Sequence, residues 1–378
     1  MANLWTANEV QLLHKMRKQG ASIQEIAKRL KSKIKRERRN ARKNNTKEQN
    51  GDITDAFGVL SGDGTLDTPR ATNGNSAKIS GKKFVVGNGT LFIPQSPKYK
   101  ISVRGSSLHV KTSSSAAVTV VVLGDIHFPF EDPSALALAR VIIKEAKPDI
   151  VILNGDVVDF FGISKFPVPP IRRAQFAQEV KYAAKQIRKI REWAPDALWI
   201  YNEGNHELRM QLYLWRRAPE MSELLCVEDE LELAKSGIIY LKQAQEPQLR
   251  EDFVAPQVVL GKLYVLHGHT VRMWGNAVNV ARGVFQRLLK PTLIGHWHRK
   301  DIYIQTDYEG VPSGAFVHGC LARPRPHWDT GRIWGQGMAV ITLQNGYFEC
   351  DVLDFILNKD ENKLFTLWRG QKYEIPMS

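Results

Sequence analysis

Cysteine is scarce in this chain: Cys226, Cys320 and Cys350 are the whole complement, odd in number and far apart. Such a set excludes a disulfide framework and fits free thiols in a reducing, cytoplasmic compartment. Long apolar runs are missing as well. No stretch approaches the roughly 18–20 apolar residues that a membrane helix needs, so no membrane partner is expected. Met1 to Thr6 lacks the basic-then-apolar pattern of a secretory leader. No internal repeat is evident, which sets aside solenoids and propellers.

Acidic residues are too few to balance the basic ones: 39 against 53, a net charge of +14. Nearly all of that excess lies in residues 1–116, ahead of a near-neutral body. A basic arm on a neutral body points to a polyanionic partner, nucleic acid first.

Residues 1–43 read as a small all-α module. Thr6-Ala7-Asn8-Glu9 fits a capping box, with Trp5 and Val10 placed for a hydrophobic staple. Val10, Leu13 and Met16 then recur at helical spacing, and Gly20 closes the turn. A second box at Ser22 to Glu25 opens a stripe of Ile23, Ile26, Ala27 and Leu30. Lys31, Lys33, Lys35, Arg36, Arg38, Arg39, Arg42 and Lys43 follow on a third segment suited to phosphate contact. The order Trp-Thr, then Gly-Ala-Ser-Ile-x-Glu-Ile-Ala, loosely resembles helix-turn-helix and Myb-like DNA-binding modules.

Residues 44–82, rich in Asn, Gly, Ser, Thr and Asp, read as a flexible linker. Residues 83–116 read as short β pieces, the first a hairpin about Asn88-Gly89. From residue 117 to 378 the text is that of an α/β domain. Val118–Leu123, Ile150–Leu153 and Leu198–Tyr201 are buried-strand runs. Helices are expected near Ser134–Ala146 and across Ile171–Trp193. The remainder is strand-rich, so the expected fold is a two-sheet sandwich flanked by helices.

Each early strand ends in residues that bind metals. Gly124-Asp125-Ile126-His127 closes the first and Gly155-Asp156-Val157-Val158-Asp159 the second. Gly204-Asn205-His206-Glu207 follows the third, and His267-Gly268-His269 and Gly295-His296-Trp297-His298 come later. Carboxylates and imidazoles thus gather at the carboxyl ends of strands, where open α/β sheets place their sites. On extended chain, Asp-x-His and His-x-His set both side chains on one side. A mixed oxygen and nitrogen donor set suits Mn²⁺, with Fe or Zn²⁺ as alternatives.

The five blocks, in this order, resemble the signature of the calcineurin-like metallophosphoesterase superfamily, over about Val118 to Leu343. The resemblance implies two divalent metal ions. Asp125, His127 and His298 would hold one; Asn205, His267 and His296 the other; Asp156 would bridge them. It implies His206 as the acid near the leaving group, and Asp159 as the residue that orients it in the phosphoprotein-phosphatase branch. That branch carries arginines where this chain has Phe160 and Glu203, so its phosphate clamp is missing or supplied elsewhere.

His269 either supports a metal ligand or lines the substrate pocket, and it joins Arg323 and Arg325 as a candidate for substrate contact. Trp274, Trp297, Trp328 and Trp334 could stack on bases, though core packing is their ordinary role, and His318 and His327 read as structural. The expected function is a two-metal phosphoester hydrolase, first a nuclease or phosphodiesterase acting on DNA or RNA held by the basic module. A phosphomonoesterase on protein or nucleotide is the alternative, and a DNA-binding protein with a regulatory phosphoesterase domain the third.

Overall fold

β-Branched runs and short helices alternate through the chain's second half, and in the computed structural model they assemble into two stacked sheets. The structure describes residues 81–377, apart from 87–88, 95, 105, 114–115, 166–167, 169, 172–174, 223, 244–254, 272–277 and 326–333. The trihelical module, its eight basic residues and residues 44–80 of the expected linker lie outside the described residues. So do Trp274, Trp328 and His327. Gly81 and Lys82, expected as linker, instead begin a strand.

Strand β1 (Gly81–Val86) pairs antiparallel with β2 (Gly89–Pro94). Next come β3 (Tyr99–Arg104) and β4 (Ser107–Thr112), an antiparallel pair whose second member lies parallel to β9 (Gln257–Leu260). Part of the short β segment therefore edges a larger sheet. That sheet has seven strands, in the order β12-β13-β11-β10-β9-β4-β3. Its remaining members are β10 (Leu263–Leu266), β11 (Thr292–Ile294), β12 (Asp301–Thr306) and β13 (Pro312–Val317).

The second sheet has six strands, β15-β14-β5-β6-β7-β8. Its parallel centre is β5 (Val118–Leu123), β6 (Ile150–Asn154), β7 (Leu198–Asn202) and β8 (Ile238–Leu241). The antiparallel flank is β14 (Gly337–Gln344) and β15 (Tyr347–Asp354). Alternation along β5 divides its side chains. Val118, Val120 and Val122 enter the layer between the sheets, while Val121 and Leu123 face the helices.

Helix α1 (Pro133–Ala146) begins where Asp132 accepts from the Ser134 and Ala135 amides at 2.9 and 3.0 Å, with Pro133 in the first turn. Helix α2 (Phe176–Arg191) packs Val180, Ala183, Ala184, Ile187 and Ile190 on the same face. The sequence places the start at Ile171; Pro170 and Ile171 are helical, and the element that packs on the sheet runs from Phe176. Ile171 is 67% exposed, so it cannot extend the stripe that holds the helix to the sheet.

Helix α3 (Asn205–Arg217) was not expected as a helix; it carries Met210 and Leu214 inward. Helix α4 (Val280–Leu288) covers the outer face of the seven-stranded sheet. A last sheet of β16 (Ile356–Asn358), β17 (Lys363–Trp368) and β18 (Gln371–Pro376) packs Leu364 and Trp368 into the helical layer.

Candidate metal centre and active site

The carboxyl ends of β5, β6, β7, β10 and β11 converge, and each delivers one of the five blocks that could hold metals. Asp125, His127 and His298 present one donor atom each within 4.8 Å of one another; so do Asp156, His267 and His296. His298 Nε2 lies 3.2 Å from Asp125 Oδ1 and 3.2 Å from His127 Nε2. His267 Nε2 lies 3.3 Å from Asp156 Oδ2 and 3.2 Å from Asn205 Oδ1, which brings Asn205 into the second group. The His296 amide donates to both Asp125 oxygens at 3.1 and 3.0 Å and so ties the groups together.

Backbone conformation builds these corners. Asp125, His127, Asp156, His296 and His298 all have φ between 49° and 66°. Left-handed backbone costs a non-glycine residue roughly 1–3 kcal/mol and persists only where the surroundings impose it. Here the imposing elements are buried strand ends. Glycine is needed at Gly204, where a Cβ would lie 2.4 Å from the Asp156 amide nitrogen and Oδ1, and at Gly295, where it would lie 2.4 Å from Asp125 Oδ2.

Outer hydrogen bonds aim the imidazoles. His127 Nδ1 donates to Asp159 Oδ2 at 3.0 Å, and His267 Nδ1 donates to the Asn154 carbonyl at 2.8 Å. Carboxylate and carbonyl only accept, so both rings carry hydrogen on Nδ1 and turn Nε2 toward the cluster. Burial pulls the His127 pKa down, in keeping with a neutral ring. Burial would do the same to His267, but Asp156 and Asp125 push it up to about 10. Burial and the neighbouring His267 take His296 down to about 3. Against the cost of burial, His206 and His267 hold Asp156 well below the usual carboxylate range. His298 and His267 do the same for Asp125.

The donors are thus two carboxylates, an amide oxygen and imidazole nitrogens, nearly all buried, with His296 Nδ1 left without a partner. Hard oxygens beside borderline nitrogens suit divalent transition metals, and the residues present fit two such ions.

His206 lies against this centre. Its Nδ1 donates to the Asp159 carbonyl oxygen at 2.9 Å, with Asp159 Oδ2 at 3.4 Å. The closer tie of the Asp159 carboxylate is to His127, so this one residue orients both rings. Burial alone would lower the His206 pKa; Asp156 and Asp159 raise it above its ordinary value.

Neither position that carries arginine in the phosphoprotein-phosphatase branch faces the cluster. Phe160 is fully buried and packs on Phe176 at 5.5 Å. Glu203 accepts from the Tyr240 hydroxyl at 2.9 Å and the Gln243 amide at 2.8 Å. His269 sits beside the second group, 5.4 Å from the His267 ring, with both ring nitrogens buried and unpartnered. Arg323 and Arg325 are exposed on a surface turn; the Arg323 amide donates to the Phe130 carbonyl.

Four residues support the site: Glu207 and Arg209, to which the sequence reading gave no role, and His318 and Trp334, which it read as structural or packing residues. Glu207 is wholly buried and accepts from the amides of Asp156, Val157 and Gly204 at 3.0, 2.9 and 2.8 Å and from the Tyr201 hydroxyl at 2.6 Å. It pins the loop that carries Asp156; its position at the third residue of a helix start was the available signal. His318 accepts from the Asn154 amide at 3.1 Å while donating to the Gly319 carbonyl, which supports the same floor. Trp334 lays its ring 3.8 Å from that of His298 and 5.5 Å from that of His127. Arg209 reaches His206 and Asp159 from α3.

Comparison with known proteins is consistent with this geometry. A family model described as calcineurin-like phosphoesterase matches residues 118–310. Gene 54 protein of Mycobacterium phage D29 is 29% identical over 193 residues, covering 48% of this chain and 70% of that protein. Its counterpart in Mycobacterium phage L5 is 25% identical over the same shares. Among solved structures, vacuolar protein sorting 29 from Cryptosporidium parvum covers 68% of this chain and 96% of its own, at 13% identity and a TM-score of 0.32. The same protein from Entamoeba histolytica, complexed with zinc, covers 69% and 99% at 10% identity and a TM-score of 0.32.

Proposed function

This chain belongs to the calcineurin-like phosphoesterase family of metal-dependent hydrolases, and from that premise we propose that it cleaves phosphodiester bonds in DNA or RNA. The observation that carries the hydrolytic part is the pair of adjoining donor groups, Asp125-His127-His298 and Asp156-His267-His296, with Asn205 beside the second. We assign the first ion to the first group, the second to the other with Asn205, and the bridging position to Asp156. Mn²⁺ is our first assignment, with Fe or Zn²⁺ as alternatives that the mixed oxygen and nitrogen donors also suit. When bound, such ions neutralise phosphate charge and make water a better nucleophile.

The chain's own residues do the rest. His127 and His267 are held in one tautomer by Asp159 and the Asn154 carbonyl, so their lone pairs stay aimed. His206, kept in place through Nδ1, turns Nε2 to the site and acts as the acid for the departing oxygen. Asp159 positions it. His269, buried but unpartnered, is assigned to substrate contact.

Two features favour nucleic acid over a small ester. One is the concentration of positive charge in the first third of the chain. The other is the outer surface of α3, the helix that begins with Asn205 and His206. It exposes Tyr213, Trp215, Arg216 and Arg217, aromatic and cationic side chains interleaved as single-stranded nucleic acid binding requires.

The deciding experiment measures hydrolysis with Mn²⁺, and after chelation, of bis-p-nitrophenyl phosphate, p-nitrophenyl phosphate and single- and double-stranded DNA. Asp156→Ala and His206→Ala serve as controls. Cleavage of the diester and of DNA, lost in both variants, supports the proposal. Cleavage of the monoester alone moves the enzyme to the phosphomonoesterases, and DNA binding without any hydrolysis leaves a regulatory domain.

A further inference from the structure

Arg209 lies on α3 four residues after Asn205 and three after His206, which places it over the same helix surface as both. Its guanidinium is held on two sides. Nη1 donates to the Asp159 carbonyl oxygen at 2.9 Å and approaches Asp159 Oδ1 at 3.5 Å. Nη2 stands 2.7 Å from His206 Nε2, the nitrogen that also faces Asp156 Oδ2 at 3.7 Å. The side chain is 21% exposed, so it borders the site without being sealed inside it.

A permanent cation set against the imidazole intended as an acid does not by itself help proton donation. Two positive groups side by side repel, and a guanidinium N–H directed at Nε2 stands where the acid's own Nε2–H has to be. The arrangement makes sense once an anion enters between them. A guanidinium has five donors in a planar fork, and Asp159 and His206 engage only part of that fork. An oxygen on phosphorus can take the Nη2 donor, leaving His206 Nε2 to carry a proton toward the leaving oxygen. The two positions that could otherwise carry a clamp are spent on the core, Phe160 on Phe176 and Glu203 on Tyr240 and Gln243.

We propose that Arg209 is the phosphate clamp of this enzyme: its guanidinium binds a non-bridging oxygen of the substrate phosphoryl group beside His206. This rests on the phosphoester-hydrolase reading of the site.

The test compares the Mn²⁺-loaded full chain with its Arg209→Gln and Arg209→Lys variants. Inorganic phosphate binding is measured by calorimetry, and kcat and KM are measured on bis-p-nitrophenyl phosphate. Arg209→Gln should weaken phosphate binding and raise KM roughly 10–100-fold, the loss of a charge-assisted hydrogen bond. Arg209→Lys should recover part of the loss, with metal content and Tm unchanged in both. Phosphate affinity equal to wild type, with only kcat reduced, would overturn the clamp and leave Arg209 as a positioning residue. So would recovery of full phosphate affinity in Arg209→Gln once its metal content is restored. Arg209-dependent phosphate binding without turnover by wild type would instead overturn the hydrolase reading and keep the clamp.

Discussion

The Asp159 carboxylate accepts from His127 Nδ1 at 3.0 Å while its own carbonyl oxygen accepts from His206 Nδ1 at 2.9 Å. One residue in the loop after β6 therefore sets the tautomer of His127 and the orientation of His206. Both carboxylate contacts lie in a buried setting, where an unpaired partner is costly.

Asp159→Ala should affect metal and chemistry together. Removing the outer partner of a ligand histidine typically costs 10–100-fold in metal affinity. Mn²⁺ titration should show a drop of about that size, and kcat should stay depressed even at saturating metal. Unchanged Mn²⁺ affinity would separate Asp159 from His127.

Metal binding should release a proton. His267 is pushed up to about 10 by Asp156 and Asp125, so the metal-free protein holds a proton there throughout the neutral range. His296, at about 3, holds none. A cation on His267 Nε2 must displace that proton, so apparent affinity rises with pH and falls about tenfold for each unit of acidification. Calorimetry in buffers of different ionisation enthalpy should find about one proton released, and His267→Ala should remove the slope along with most of the affinity.

Glu203 should make stability depend on pH in the direction opposite to a salt bridge. Burial raises its pKa from 4.5 to about 7, against the donors Gln243 N–H and Tyr240 O–H. Between those values the folded chain keeps a proton that the unfolded chain has lost, so this group's contribution to stability falls as pH rises through the window. Glu203→Gln keeps the shape without the charge. Its stability relative to wild type should improve from pH 4.5 to 7, by on the order of 3 kcal/mol at most. Denaturant midpoints at a series of pH values read this out, and parallel curves for the two proteins would refute it.

Gly204→Ala should remove activity far more than it unfolds the protein. The added methyl would meet the Asp156 amide and Oδ1 at 2.4 Å and Glu207 Oε2 at 2.7 Å. Relief requires shifting the loop that bears Asp156, and misplacement by about 1 Å can cost on the order of 100-fold in rate. Turnover should drop by at least that factor while far-UV circular dichroism stays that of the wild type.

Much of this protein follows from local sequence. Runs such as Val118–Leu123 and Ile150–Leu153 are buried strands because β-branched side chains fill both faces of a covered parallel sheet. A donor residue following such a strand lands at its carboxyl end, so Asp125, His127, Asp156, His267, His296 and His298 could be grouped from their places after strands together with the superfamily resemblance of the five blocks. The absence of an arginine at Phe160 and Glu203 was equally visible.

Other features depend on residues distant in sequence. That Asp159 ties to His127 more closely than to His206, that Glu207 gathers the amides of Asp156, Val157 and Gly204, and that Trp334 lies on His298 are consequences of three-dimensional packing. Arg209 shows the difference most clearly. In the sequence it is one cation among 53; its position beside His206 exists only because Gly204 lets the chain turn from β7 into α3 directly over Asp156. The identity of a donor and its place at a strand end are local properties of the chain. The direction in which its lone pair points, and the charge that stands beside it, belong to the close packing of segments that meet only in the folded state.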